Sequence, residues 1–392
     1  MFGLIECVVG RNVSSHSIHK HWDNIISCWL ASLGPTSVKC GRTLMQYYQQ
    51  ERGGHQVESF EKDFKTQRRQ NPWSKMSIEV VDFGSFGLGN AEPSAIELER
   101  ISTEIIRAFR DIGFVYIKNT GIKDENVFEV MDISRRFFLL PRDIKQQYAR
   151  STDSETPSQG WIETESLNPT SSGELKEVFN LSTISTSDNW PVKHVPEFTK
   201  CMESFFKSSE QLAIRILKVI AMGLSLEPDF FINKHTKIGS NQNPTTLRTA
   251  YYPSIQKSSL KEHQMRCAEH SDFGTCTLLF QDKSGGLEVM NKSGQYCAAP
   301  YIPNTVLLNV ANLLQRWTSD ALISTKHRVP IPQTDDMLNS PRQSVAFFVH
   351  PDHNTILECC DGLNKYPPIS SIQYLKETHG ELFPRESYPT GD

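Results

Sequence analysis

Residues 267–290 read CAEHSDFGTCTLLFQDKSGGLEVM, and this stretch of the 392-residue chain decides the fold class. Two short apolar runs, Thr277-Leu278-Leu279-Phe280 and Leu287-Glu288-Val289, flank the turn Asp282-Lys283-Ser284-Gly285-Gly286. Runs this short, bounded by glycine and aspartate, predict strands rather than helices. The pattern continues outward to Tyr251-Tyr252, Val306-Leu307-Leu308 and Val345–Val349. Several short strands so spaced predict an antiparallel sandwich or barrel.

Upstream the period changes to that of helices. After a β-prone run at Ile78–Phe83, a helix opens at Ala91-Glu92-Pro93-Ser94. It carries Ile96, Leu98, Ile101, Ile105, Phe109 and Ile112 at mostly three- and four-residue steps, and Gly113 stops it. A strand at Phe114–Ile117, a helix over about 124–140 ending at Pro141, and a helix over about 198–224 follow. Helices first and strands later make an α+β chain. Four sections are expected: 1–76, a poorly patterned N-terminal extension; 77–235, helix-rich; 243–355, the strand-rich core; and 356–392, a C-terminal segment. Nothing repeats internally.

Composition narrows the function. Lys and Arg number 41 against 45 Asp and Glu, a net charge of −4 with no long basic run, which argues against a nucleic-acid footprint. No apolar run approaches the roughly 18–20 residues a membrane span needs. The N-terminal MFGLIECVVG lacks a basic start and is interrupted by Glu6, a poor signal peptide. Nine cysteines without a CxxC pair suggest free thiols in a reducing compartment, so cytoplasm is the expectation. A monomer acting on a small molecule, without nucleic acid or membrane, is expected with it.

Chemistry concentrates at His270-Ser271-Asp272, His327 and Arg342-Gln343-Ser344. On an extended backbone residues i and i+2 share a face, so His270 and Asp272 are expected to converge. His327, 55 residues past Asp272, can arrive from a neighbouring strand. Two histidines and one carboxylate leave metal positions open, the pattern of non-haem Fe(II) oxygenases. Arg342 and Ser344 share a strand face and suit a carboxylate held by a guanidinium fork and a hydroxyl. The bare H-x-D pattern also occurs at His21-Trp22-Asp23 and His350-Pro351-Asp352. The first sits in the unpatterned extension. The second is trailed by His379 and Arg385-Glu386-Ser387, but Pro384 and Pro389 spoil any strand there. His263 reads as a loop residue, Cys267 and Cys276 as small buried hydrophobes, Phe137-Phe138 as core, and Arg68-Arg69 as a solvated stretch.

With these residues in place, about 77–355 resembles the Fe(II)/2-oxoglutarate-dependent dioxygenases, specifically their isopenicillin N synthase-like branch. His270, Asp272, His327, Arg342 and Ser344 match the family's His-x-Asp, His and Arg-x-Ser. Gly113–Ile122, Phe137–Pro141 and Glu174–Phe179 look like its amino-terminal segments, and Tyr252-Pro253 like its tyrosine-proline pair. Ala250, Thr120 and Ala311-Asn312 depart from it. The resemblance implies a double-stranded β-helix (jelly roll) core flanked by helices from the N-terminal half. It also implies Fe(II) on His270, Asp272 and His327, with 2-oxoglutarate paired to Arg342, Ser344 and Tyr252. O2 then oxidises a small organic molecule while the co-substrate becomes succinate and CO2. Two rivals remain at this point: an iron oxidase of the same fold that does not use 2-oxoglutarate, and a non-catalytic binding or sensor protein on the barrel.

Overall fold

In the computed structural model, residues 78–91, 93–150, 159–163, 173–182 and 190–382 are described; the expected extension at 1–76 lies outside them. The first half runs β1 (Val80–Asp82), α1 (Ala95–Asp111), β2 (Phe114–Lys118), α2 (Asp124–Phe138), α3 (Arg142–Gln146), β3 (Gly160–Ile162), β4 (Glu177–Leu181) and α4 (Phe198–Gly223). The second half runs β5 (Thr246–Tyr252), β6 (Cys267–His270), β7 (Cys276–Gln281), β8 (Glu288–Met290), β9 (Tyr296–Ala298), β10 (Thr305–Val310), α5 (Asn312–Trp317), β11 (His327–Val329), α6 (Asp335–Asn339) and β12 (Arg342–Val349). After it come β13 (Ile356–Leu357), β14 (Ile369–Ser370) and α7 (Ser371–Leu382).

The helices form where the sequence marks their ends. Ser94 caps α1: its side chain accepts from the Glu97 amide while Glu97 reaches back to the Ser94 amide, a reciprocal capping box. α4 is 26 residues long, about 39 Å at the helical rise. Its buried stripe, including Phe205, Phe206, Leu212, Ile216 and Ile220, packs on the sheet. Phe206 meets Phe347 edge-on at 5.0 Å and Phe205 meets Phe280 at 5.0 Å. Burying each such ring is worth roughly 1.5–3 kcal/mol.

Two sheets face each other. The larger has eight strands in the order β1-β2-β10-β7-β12-β5-β4-β3, and the smaller four in the order β6-β11-β8-β9. Period-two alternation sorts the side chains of the large sheet. Val345, Phe347 and Val349 of β12 join the helix-side core, while Arg342, Ser344, Ala346 and Phe348 line the space between the sheets. The second core, with Phe114, Tyr116, Val178, Val289 and Val329, fills part of that space. This is the expected jelly-roll core with flanking helices.

The structure departs from the sequence expectations in two places. Besides the expected strands at β1 and β2, the first half supplies β3 and β4 to the large sheet. β3 and β4 are three and five residues long, too short to announce a period. And β6 ends at His270, so Asp272 stands in the following coil rather than on the strand.

Gly113 links α1 to β2 at φ +73°, where a Cβ would lie 2.0 Å from the Ile323 carbonyl oxygen and 3.0 Å from Thr325 Oγ1. Left-handed strain and a backbone clash then act together. Gly113→Ala is expected to cost about 2–4 kcal/mol of stability, read as a lowered urea midpoint at unchanged slope.

Candidate active site

His270, Asp272 and His327 converge between the sheets. Each offers one ligand atom, and the three lie within 4.8 Å of one another. Asp272 Oδ1 is 3.7 Å from His270 Nε2 and 3.6 Å from His327 Nε2. The imidazoles come from paired strands, since His327 on β11 stands opposite His270 on β6. Asp272 is brought in by the coil after β6, whose carbonyl at position 272 accepts from the Asn312 amide at the start of α5 (2.8 Å).

Partners behind these groups fix what they present. His270 Nδ1 lies 2.8 Å from the Ala268 carbonyl and His327 Nδ1 lies 3.1 Å from the Thr325 carbonyl. A carbonyl only accepts, so both Nδ1 atoms carry the proton and both Nε2 lone pairs face the centre. Burial, and then neighbouring His270, push the His327 pKa down to about 4, so it is neutral near pH 7. Asp272 Oδ2 accepts from Thr277 Oγ1 (2.6 Å) and Asn309 Nδ2 (2.8 Å), leaving Oδ1 for the centre. Burial acts to raise the Asp272 pKa. The two imidazoles and the two hydrogen bonds outweigh it and hold the carboxyl below the usual aspartate range. Two imidazole nitrogens and one carboxylate oxygen, each braced from behind, fit a divalent first-row metal with open positions.

A cavity of about 80 Å³ joins this centre to Arg342, Ser344 and Tyr252. Arg342 is 1 % exposed. Its Nε donates to the Gly285 carbonyl (2.7 Å), one terminal nitrogen to Ser344 Oγ (3.3 Å), and the other to Gln281 Oε1 (3.4 Å). The guanidinium sits 4.6 Å from the centre of the Tyr252 ring. Among the described residues it forms no ion pair, so a buried cation stands at the closed end without a counter-charge. Val178, Ala250, Leu279 and Ala346 line the wall between the two ends.

The other sequence candidates fall elsewhere. His350 and Asp352 are apart from the centre: the His350 carbonyl accepts from Asn243, and the Asp352 carboxylate caps the amides of Thr236 and Lys237. The pair at His21 and Asp23, the tail at 385–387 and the His379 side chain lie outside the described residues. His263 is exposed, and Cys267 and Cys276 are buried, with no disulfide at either among the described residues. Spacing missed Thr277, Asn309, Gln281 and Gly285, whose importance lies in contacts across strands. It also missed the brace on β6: Glu174 accepts from the Ala268 amide (2.8 Å) and pairs with Lys176 (2.6 Å), whose Nζ reaches Cys267 Sγ at 3.3 Å.

Comparison with known proteins follows the same lines. Residues 244–351 match the 2OG-Fe(II) oxygenase superfamily, and residues 78–201 match the N-terminal region described as that of a non-haem dioxygenase in morphine synthesis. The chain is 32 % identical to the 2-oxoglutarate-Fe(II) type oxidoreductase ppzD of Metarhizium rileyi over 76 % of its own length and 90 % of the relative's. It is likewise 32 % identical to the 2-oxoglutarate-dependent dioxygenase htyE of Aspergillus rugulosus, over 72 % of this chain and 90 % of that one. Among solved structures, a full-length Neurospora crassa protein in complex with alpha-KG superposes with a TM-score of 0.68 at 27 % identity, covering 78 % of this chain and 96 % of the other.

The bracing of Asp272 can be tested apart from the ligand set. Asn309→Ala removes one of its two side-chain donors and leaves all three ligand atoms in place. Metal affinity, measured by competition with a chelating dye, is expected to fall about 10–100-fold, with the melting temperature of the metal-free protein little changed.

Proposed function

This chain belongs to the 2-oxoglutarate–Fe(II) oxygenase superfamily, and on that footing we propose that His270, Asp272 and His327 hold its ferrous ion and that Arg342, Ser344 and Tyr252 hold the far carboxylate of 2-oxoglutarate. The protein is an oxidoreductase, a 2-oxoglutarate-dependent non-haem iron dioxygenase using Fe(II), 2-oxoglutarate and O2. Of the readings open at the sequence level, the oxidase and the non-catalytic sensor give way to it.

One observation carries the assignment of residues. A braced set of two imidazoles and a carboxylate stands at one end of a cavity, and a buried arginine without an ion-pair partner among the described residues stands at the other. Iron held at the first end supplies the O2 chemistry by which 2-oxoglutarate is oxidatively decarboxylated to succinate and CO2 while a substrate is oxidised. The residues themselves do simpler things. Nε2 of each histidine and Oδ1 of Asp272 present lone pairs from fixed directions, leaving coordination positions open. Arg342 and Ser344 donate hydrogen bonds to an anion, and Arg342 neutralises it where water is excluded. Val178, Leu279 and Ala346 give the space between the ends an apolar part of its wall.

The substrate is proposed to be a small organic molecule rather than a macromolecule, in a cytoplasmic protein working without nucleic acid or membrane. The near-neutral charge and the small cavity support this, as do relatives such as the proline hydroxylase buaE of Petromyces alliaceus, 30 % identical over 74 % of this chain. No helix among the described residues is long and apolar enough to cross a membrane.

Anaerobic titration with Fe(II) and 2-oxoglutarate, followed by a metal-to-ligand charge-transfer band, tests both ends. His270→Ala is expected to abolish the band. Arg342→Gln is expected to retain it but to need about 10–100-fold more 2-oxoglutarate for half-saturation, the loss of a buried charge-assisted contact. An undiminished band in His270→Ala rules out this ligand assignment.

A further inference from the structure

Beside Arg342 lies a second buried arginine that the reaction scheme leaves unused. Arg266 is 3 % exposed. One of its terminal nitrogens donates to the Ser340 carbonyl at 3.0 Å and the Pro253 carbonyl at 3.3 Å, with the Met337 carbonyl at 3.5 Å. Its Nε is buried without a hydrogen-bond partner, and among the described residues it forms no ion pair. Pro253 directly follows Tyr252, and Ser340 stands two residues before Arg342. Tyr252 and Arg342 are themselves paired across β5 and β12. Arg266 therefore ties together the two chain segments that leave the final rung of this ladder.

We propose that Arg266 is a positioning residue for the oxoacid end of the pocket: it fixes Arg342 and Tyr252 against each other and, as a second buried cation, makes that end select a co-substrate with a distal carboxylate. The inference rests on the reading of Arg342 given above. Two physical facts support it. Backbone carbonyls satisfy hydrogen bonds but carry no net charge, so the two guanidiniums share a dry region with an excess of positive charge. Burial, and then the charge of Arg342, bear down on the Arg266 pKa, with Tyr252 and Asp282 opposing. An entering carboxylate relieves that repulsion at both arginines, while contacting Arg342 alone. A monocarboxylate oxoacid, occupying only the metal end, relieves none of it.

Four probes separate the effects: 2-oxoglutarate, 2-oxobutanoate (the same head without the distal carboxylate), glutarate (the distal end without the oxo group) and glutaramide (the same length without charge). In the metal-free protein, glutarate is expected to raise the melting temperature and glutaramide to leave it unchanged. In Arg266→Gln, affinities for 2-oxoglutarate (by the anaerobic Fe(II) band) and glutarate (by thermal shift) are expected to fall about tenfold, with 2-oxobutanoate within about twofold of wild type. Arg266→Lys keeps the charge but loses the fork, and an intermediate loss of about threefold is expected with selectivity for glutarate over glutaramide retained. Should the glutamine variant not fold, the lysine variant decides: 2-oxoglutarate affinity equal to wild type overturns the proposal. So does a loss shared equally by 2-oxobutanoate in either variant, the mark of a merely structural role. If Arg342→Gln leaves 2-oxoglutarate affinity intact, the underlying reading fails. If Arg342→Gln weakens it and Arg266→Gln does not, only this inference fails.

Discussion

A buried carboxylate is costly to leave without partners, and Asp272 is surrounded by four neighbours from different strands. Thr277 on β7 and Asn309 on β10 donate to one oxygen, while His270 on β6 and His327 on β11 face the other. The first two strands belong to the large sheet and the last two to the small one. The spacing between the sheets is therefore tied to the geometry of a single side chain. If the sheets shift apart, Asp272 loses either its donors or its imidazoles, and a desolvated charge is left uncompensated. The packing of α1 and α4 against the outer face of the large sheet holds that spacing from outside.

Charge is arranged lengthwise in the cavity. The end with Asp272 carries the one anionic ligand of the proposed metal set, and the end with Arg342 is cationic. Val178, Leu279 and Ala346 form an apolar part of the wall, and Lys176, Arg248 and Arg328 line the same cavity. A ligand with an electron-rich chelating head and a carboxylate tail finds a matching partner at each end.

The sequence made the strands and the ligand set legible because they obey local rules. β7, β10 and β12 show as short apolar runs between turn residues, and α1 announces itself through Ser94 and Glu97. The convergence of His270 and Asp272 has a different cause from the one their spacing suggests. The two residues converge because the coil after β6 turns Asp272 inward, not because both lie on a strand. What stayed hidden depends on partners distant along the chain. Nothing local about Asn309 signals a bond to Asp272, 37 residues away. Nothing about Glu174 signals a bond to the Ala268 amide, 94 residues away. Arg266 looks like an ordinary loop cation until the carbonyls around it are known. Strands β3 and β4 are hidden differently: too short to carry a period, they are held by pairing, β4 to β5 and β3 to β4.

The order of strands in the large sheet bears on how the molecule could have been assembled from parts. Its middle, β10-β7-β12-β5, belongs to the second half of the chain, and both of its margins, β1-β2 and β4-β3, belong to the first. A fragment beginning near β5 would contain every proposed ligand yet present β10 and β5 as bare borders open to any passing chain. The early segments thus act as selvedges, finishing the weave on both sides. The catalytic half cannot be exchanged as a free-standing cassette: its amino-terminal companion has to travel with it.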